Sequence, residues 1–73
     1  MLIKVLDHEQ IINLANSRIK VLEQKLQEAQ EEKDTVSSEA IKNAIDHIKT
    51  IRKAAKAEFE IFLDEDDRFV LGL

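Results

Sequence analysis

The sequence predicts an all-α fold: an antiparallel two-helix hairpin, coiled-coil-like, that pairs with a second copy into a four-helix bundle. Three observations point there. Residues 7–34 and 37–63 each place their apolar side chains at helical spacing and contain neither glycine nor proline. Only a short polar link separates them. Across that link the apolar phase slips by one residue. Continuing the first stripe picks out Ala40, Asn43 and His47, whereas the second stripe runs through Ile41, Ala44 and Ile48. One unbroken rod keeps a single phase, so the slip marks a turn.

The first helix has the clearer start. Asp7 is a good N-cap, and Gln10 three residues later can reach back to the cap's own N–H. Leu6 and Ile11 flank the cap as a hydrophobic staple, and Glu9 suits the positive end of the helix dipole. Ile12, Ala15, Ile19, Leu22, Leu26 and Ala29 then form a seam of a and d positions, widened by Leu14 and Val21. Gln24, Gln27, Gln30, Glu31 and Glu32 face away.

Ser37 is the expected cap of the second helix, with Glu39 in its first turn and Val36 and Ile41 as staple. Its seam is Ile41, Ala44 with Ile45, Ile48, Ile51 and Ala55, continued by Phe59 and Phe62. The end is open between Ala57 and Leu63. Running into Asp64–Asp67 would set four carboxylates against the negative end of the dipole, but the spacing of Phe59 and Phe62 favours the longer helix. Met1–Leu6 reads as a short arm, strand or extended. Residues 64–73 read as an acidic, then apolar tail. Alternation of Phe59, Ile61 and Leu63, then Phe69 and Leu71, also fits a small β-hairpin around the acidic residues.

At 73 residues the chain is one helical-hairpin domain at the margin of what a single core supports. Without cysteine there is no disulfide or thiolate metal site, and without Trp or Tyr the core must be aliphatic. Hydrophobic residues at 44% and charged ones at 36% suit a helical bundle better than disorder. No secretory pattern opens the chain and no apolar run is long enough to span a bilayer, so the expectation is a soluble, cytoplasmic protein of a reducing compartment. The seam is wider than one partner helix covers. That excess predicts self-association through Ile12, Ile19, Leu22, Leu26, Ile41, Ile45, Ile48, Ile51, Phe59 and Phe62. The bland alternative is that the arm and tail fold back over it.

The net charge of −4 is unevenly spread. Residues 37–57 carry Lys42, Lys49, Arg52, Lys53 and Lys56 against Glu39 and Asp46, a net +3. Residues 58–73 carry six carboxylates against Arg68, a net −5. Lys49, Arg52, Lys53 and Lys56 form an anion-binding candidate, because like charges four apart on a helix repel. The ordinary reading is a solvated face partly neutralised by the acidic tail. An overall acidic chain with no Tyr or Trp for stacking makes nucleic acid the lesser partner.

Asp64, Glu65, Asp66 and Asp67 lack the glycine a calcium loop needs in that place. With Phe69 and Leu71 they form the candidate strip for docking another protein. His8 and His47 have no metal spacing on one face, and Ser17, Ser37 and Ser38 have no base partner in the sequence. Nor is there a glycine-rich phosphate loop. The reading is therefore a non-enzymatic protein with no catalytic residue, metal or cofactor. Residues Lys42-Asn43-Ala44-Ile45-Asp46 lie where small sporulation-type aspartyl-phosphate phosphatases, also two-helix hairpins, carry Ser-Gln-x-Leu-Asp. Only the apolar residue and the aspartate are shared, so the likeness assigns no family and no residue role. The expected function is a small regulatory inhibitor, adaptor or assembly factor that binds another protein. The rival is a nucleic-acid-associated protein using the basic face of the second helix.

Overall fold

The computed structural model describes residues 7–59 and 61–73. The N-terminal arm, the Leu6 half of the first staple and Glu60 lie outside them. Among the described residues the fold is all helical, in the order α1 (His8–Glu31), α2 (Thr35–Lys56) and α3 (Glu65–Leu71). α1 and α2 pack side by side as a hairpin, and α3 lies against both.

α1 starts as its sequence dictates. The Asp7 carboxylate accepts from the Gln10 N–H at 2.7 Å, and the Gln10 amide oxygen accepts from the Asp7 N–H at 3.1 Å. Glu32, Lys33 and Asp34 form the link. Lys33 takes the left-handed conformation, φ 57°, and the Asp34 N–H reaches back to the Ala29 carbonyl at 2.9 Å. Asp34 then turns extended and caps α2, its carboxylate accepting from the Ser37 N–H at 3.0 Å. One residue thus closes one helix and opens the next.

This corrects the expected cap at Ser37. Asp34 offers two acceptor oxygens in extended geometry one turn earlier, so Ser37 becomes a donor inside the first turn. Val36 is then no staple and stands exposed, while Ser38 is buried. Ser38 and Ala29, both small and both buried, sit where the helices converge on the link.

The second correction concerns the end of α2, which stops at Lys56 rather than Leu63. Glu58 turns left-handed, φ 59°, and the Phe59 N–H bonds the Ala54 carbonyl at 3.1 Å. The His8 ring donates to the Phe59 carbonyl at 2.8 Å, which puts Phe59 beside the first residue of α1. A longer α2 would run past the start of α1 at His8. Phe59 and Phe62 therefore leave the seam.

The third correction concerns the tail, which holds α3 and not a β-hairpin. Asp64 caps it, with the Asp67 N–H donating to the Asp64 carboxylate at 2.8 Å and the Asp64 N–H to Asp67 at 3.2 Å. Read forward, the four carboxylates favour the start of a helix as strongly as they disfavour the end of one. Gly72, φ 80°, closes α3, with the Leu73 N–H on the Arg68 carbonyl at 2.9 Å.

The core is aliphatic throughout. Ile11, Ala15, Ile19 and Leu22 of α1 meet Ile45, Ile48, Ile51 and Ala55 of α2, and Leu71 of α3 completes the cluster. Ile48, with 0% of its surface exposed, is the largest side chain fully buried.

Candidate interaction surfaces

The sequence-predicted seam is occupied within one chain. Ile19, Leu22, Ile45, Ile48 and Ile51 are buried, and Ile12, Leu26 and Ile41 are half-buried against them. Part of this packing comes from α3, which inserts Leu71 at 3% exposure. Leu71 is thus a core residue, out of reach of a docking partner.

Three contacts hold α3 in place, two of which the sequence did not disclose. The His47 ring donates to the Asp67 carboxylate at 2.5 Å. The Arg18 guanidinium donates to the Val70 carbonyl at 3.3 Å, and its stem lies 3.9 Å from where a Cβ on Gly72 would stand. The third is burial of Leu71. Burial pushes the Asp67 carboxyl up, but the hydrogen bond from His47, the Asp64 N–H and the charge of a protonated imidazole outweigh it. They leave Asp67 below the ordinary 3.8. Asp34 is lowered too, by its bonds from Ser37.

The outward side of this segment is apolar and acidic. Phe59, Phe62 and Phe69, all the aromatic residues of the chain, are 66%, 81% and 80% exposed. Glu65 and Asp66 precede Phe69 by one helical turn and are exposed with it. Asp64 and Asp67 are engaged with each other's backbone N–H as the capping pair. The acidic strip of the sequence therefore divides, two carboxylates structural and two displayed.

The basic residues share one flank. Counted at about 100° per residue from Ile48, Arg52, Lys56, Lys49, Lys42 and Lys53 fall at roughly +40°, +80°, +100°, +120° and +140°. His47, which faces α3, lies at about −100°. On α1, Arg18 is at about −100° from Ile19, while Glu23, Asn16 and Lys20 lie at about +40°, +60° and +100°. In an antiparallel pair equal signs share a face. Two contacts agree: Arg52 donates to the Asn16 side chain at 2.9 Å, and Glu23 and Leu26 line one open groove with Lys42, Ile45, Asp46 and Lys49.

So α3 covers one face of the hairpin and the cations of α2 occupy the other. Among the described residues the acidic tail makes no ion pair with these cations. Among the described residues the one ion pair within 4 Å is His47 with Asp67, and no Lys or Arg is paired.

No group of three metal-ligating side chains converges among the described residues, and none of their helices is long and apolar enough to cross a membrane. No protein-family model matches the chain, and neither a curated protein nor a solved structure is significantly similar to it, so function rests on these surfaces.

Proposed function

We propose that this chain is a small, non-enzymatic protein-interaction module of the cytoplasm, a regulatory inhibitor, adaptor or assembly factor. Its docking surface is the outward side of residues 59–73. The observation that supports this is the exposure of all three phenylalanines. A chain this short has every reason to bury its largest apolar side chains. Here Ile, Leu and Ala fill the core and the aromatic rings are left in water. Aromatic side chains clustered on a surface are the common anchors of protein interfaces. With Glu65 and Asp66 beside Phe69, the complementary surface is an apolar patch with a basic rim.

The test compares wild type with the variant Phe59→Ser/Phe62→Ser/Phe69→Ser in affinity capture from the native host. Proteins held by the wild type should be lost from the variant while its helicity is unchanged. With an identified partner, replacing one anchoring phenylalanine should weaken binding by about 30-fold, the size of a hot-spot residue. A partner held equally by both proteins would defeat this reading.

The unpaired cations of α2 favour a second reading, association with nucleic acid through that flank. Titration with salt separates the two. Phosphate binding weakens linearly in log–log terms as counterions are released, whereas apolar docking is nearly indifferent to salt.

A further inference from the structure

The hairpin's two faces differ in what covers them. The face carrying Arg18 and His47 is closed by α3. The opposite face has an open groove of about 280 Å³ between α1 and α2. Leu26 and Ile45 give it an apolar floor, and Lys42 and Lys49 stand at its α2 rim beside Asp46, with Glu23 across on α1. Arg52, Lys53 and Lys56 continue the positive rim towards the end of α2.

Glu23 and Asp46 stand in the groove wall, but against Lys42, Lys49, Arg52, Lys53 and Lys56 they leave this flank with an excess of positive charge. Like charges three and four residues apart repel along it, and among the described residues no carboxylate lies within ion-pair distance of any of these cations. The chain nevertheless carries an excess of negative charge, concentrated in residues 58–73. Those carboxylates belong to a segment whose helix is fastened to the far face. The groove with its positive α2 rim and the acidic, aromatic side of α3 are thus complementary surfaces on opposite sides of one molecule.

We propose that the groove receives the outward side of α3 from a second copy of this chain. Phe69 enters over Leu26 and Ile45, and Glu65 and Asp66 face the rim lysines, Lys49 chief among them. The spacing suits this arrangement. Glu65 and Asp66 lie four and three residues before Phe69, so all three point from one side of a short helix. Glu23 and Asp46 in the groove wall keep its charge mixed and so favour a ligand that joins an apolar side chain to its carboxylates over a uniformly charged polymer.

Because groove and ligand are different surfaces, the contact is heterologous. It propagates from copy to copy and does not stop at a two-fold dimer. A small interface with a charged rim is weak and sensitive to salt. The proposal rests on the reading of Phe69 as a docking residue and adds the identity of one occupant.

Sedimentation velocity of the full chain at 10 µM to 1 mM tests it, at about 50 mM and about 500 mM salt, where screening differs severalfold. Average mass should climb above 8.4 kDa with concentration at low salt and return towards the monomer at high salt. Lys49→Glu and Glu65→Lys, both at exposed positions, should each abolish association with helicity intact. An equimolar mixture of those two variants should associate again, since each groove then meets an α3 of opposite charge. A protein that stays at 8.4 kDa at low salt at every concentration overturns the proposal. So does association that survives either charge reversal, or a mixture that fails to recover. Partner capture that depends on the phenylalanines, by a chain that stays monomeric at low salt, would leave the proposed function standing while defeating self-docking.

Discussion

Lys33 and Glu58 both occupy the left-handed region, φ 57° and 59°, where the missing Cβ of glycine is an advantage. Each closes a helix: the next residue's N–H bonds a carbonyl five residues back, as Gly72 and Leu73 do at the end of α3. Neither position showed in the sequence, because a glycine after the last turn is the usual stop signal and these stops lack it. Asp34 was equally hard to place. Aspartate and serine are comparable caps, and only the backbone geometry chooses between Asp34 and Ser37. Lys33→Gly and Glu58→Gly should each stabilise the protein by about 0.5–1 kcal/mol, less the entropy a glycine returns to the unfolded chain. Thermal melts should show a rise of a few degrees for each, and a fall in both would mean the left-handed conformations are absent in solution.

At the scale of elements, the start of α1 was legible to the residue because its cap, its box and its stripe agree, while its end fell three residues short of Asp34. α2 was legible in its middle but not at its ends. α3 carried readable signals that went unused: Asp64 with Asp67 as a box, an apolar run, then Gly72. The spacing of Phe59 and Phe62 continued the seam and masked them. What fastens α3, His47 and Arg18 meeting residues twenty and fifty-two positions away, is tertiary and leaves no local trace. The Asp67 carboxyl is more acidic folded than unfolded, so on acidification the unfolded state takes up the proton first. Its contribution is complete above the ordinary 3.8 and drains away as pH falls below that value. Hydrogen exchange should therefore show α3 losing protection before the middle of α1 does as pH falls below the ordinary 3.8. Asp67→Asn should weaken α3 at neutral pH and flatten this dependence. Identical acid profiles for α3 and α1 would count against the clasp.

The molecule as a whole measures 41 × 26 × 14 Å between Cα extremes, an elongated slab. Its hairpin followed from two stripes and a phase slip. The disposal of the stripes did not, because their width implied cover without saying whose. Within the chain, α3 supplies that cover. Deleting residues 64–73 should leave α1 and α2 helical yet remove the burial of Leu71, about 1.5–3 kcal/mol for such a side chain. At this size that lowers the melting temperature by roughly 10 °C or more. An unchanged melt would mean α3 does not dock. The all-aliphatic core has one further consequence. Five isoleucines, stiff at χ1, and three alanines define the packing without help from any aromatic ring. On the proposed function, folding and recognition fall to different residue types at different places. Drift at Phe59, Phe62 or Phe69 would then alter what the surface accepts while the scaffold persists, leaving binding specificity free to evolve faster than the fold that displays it.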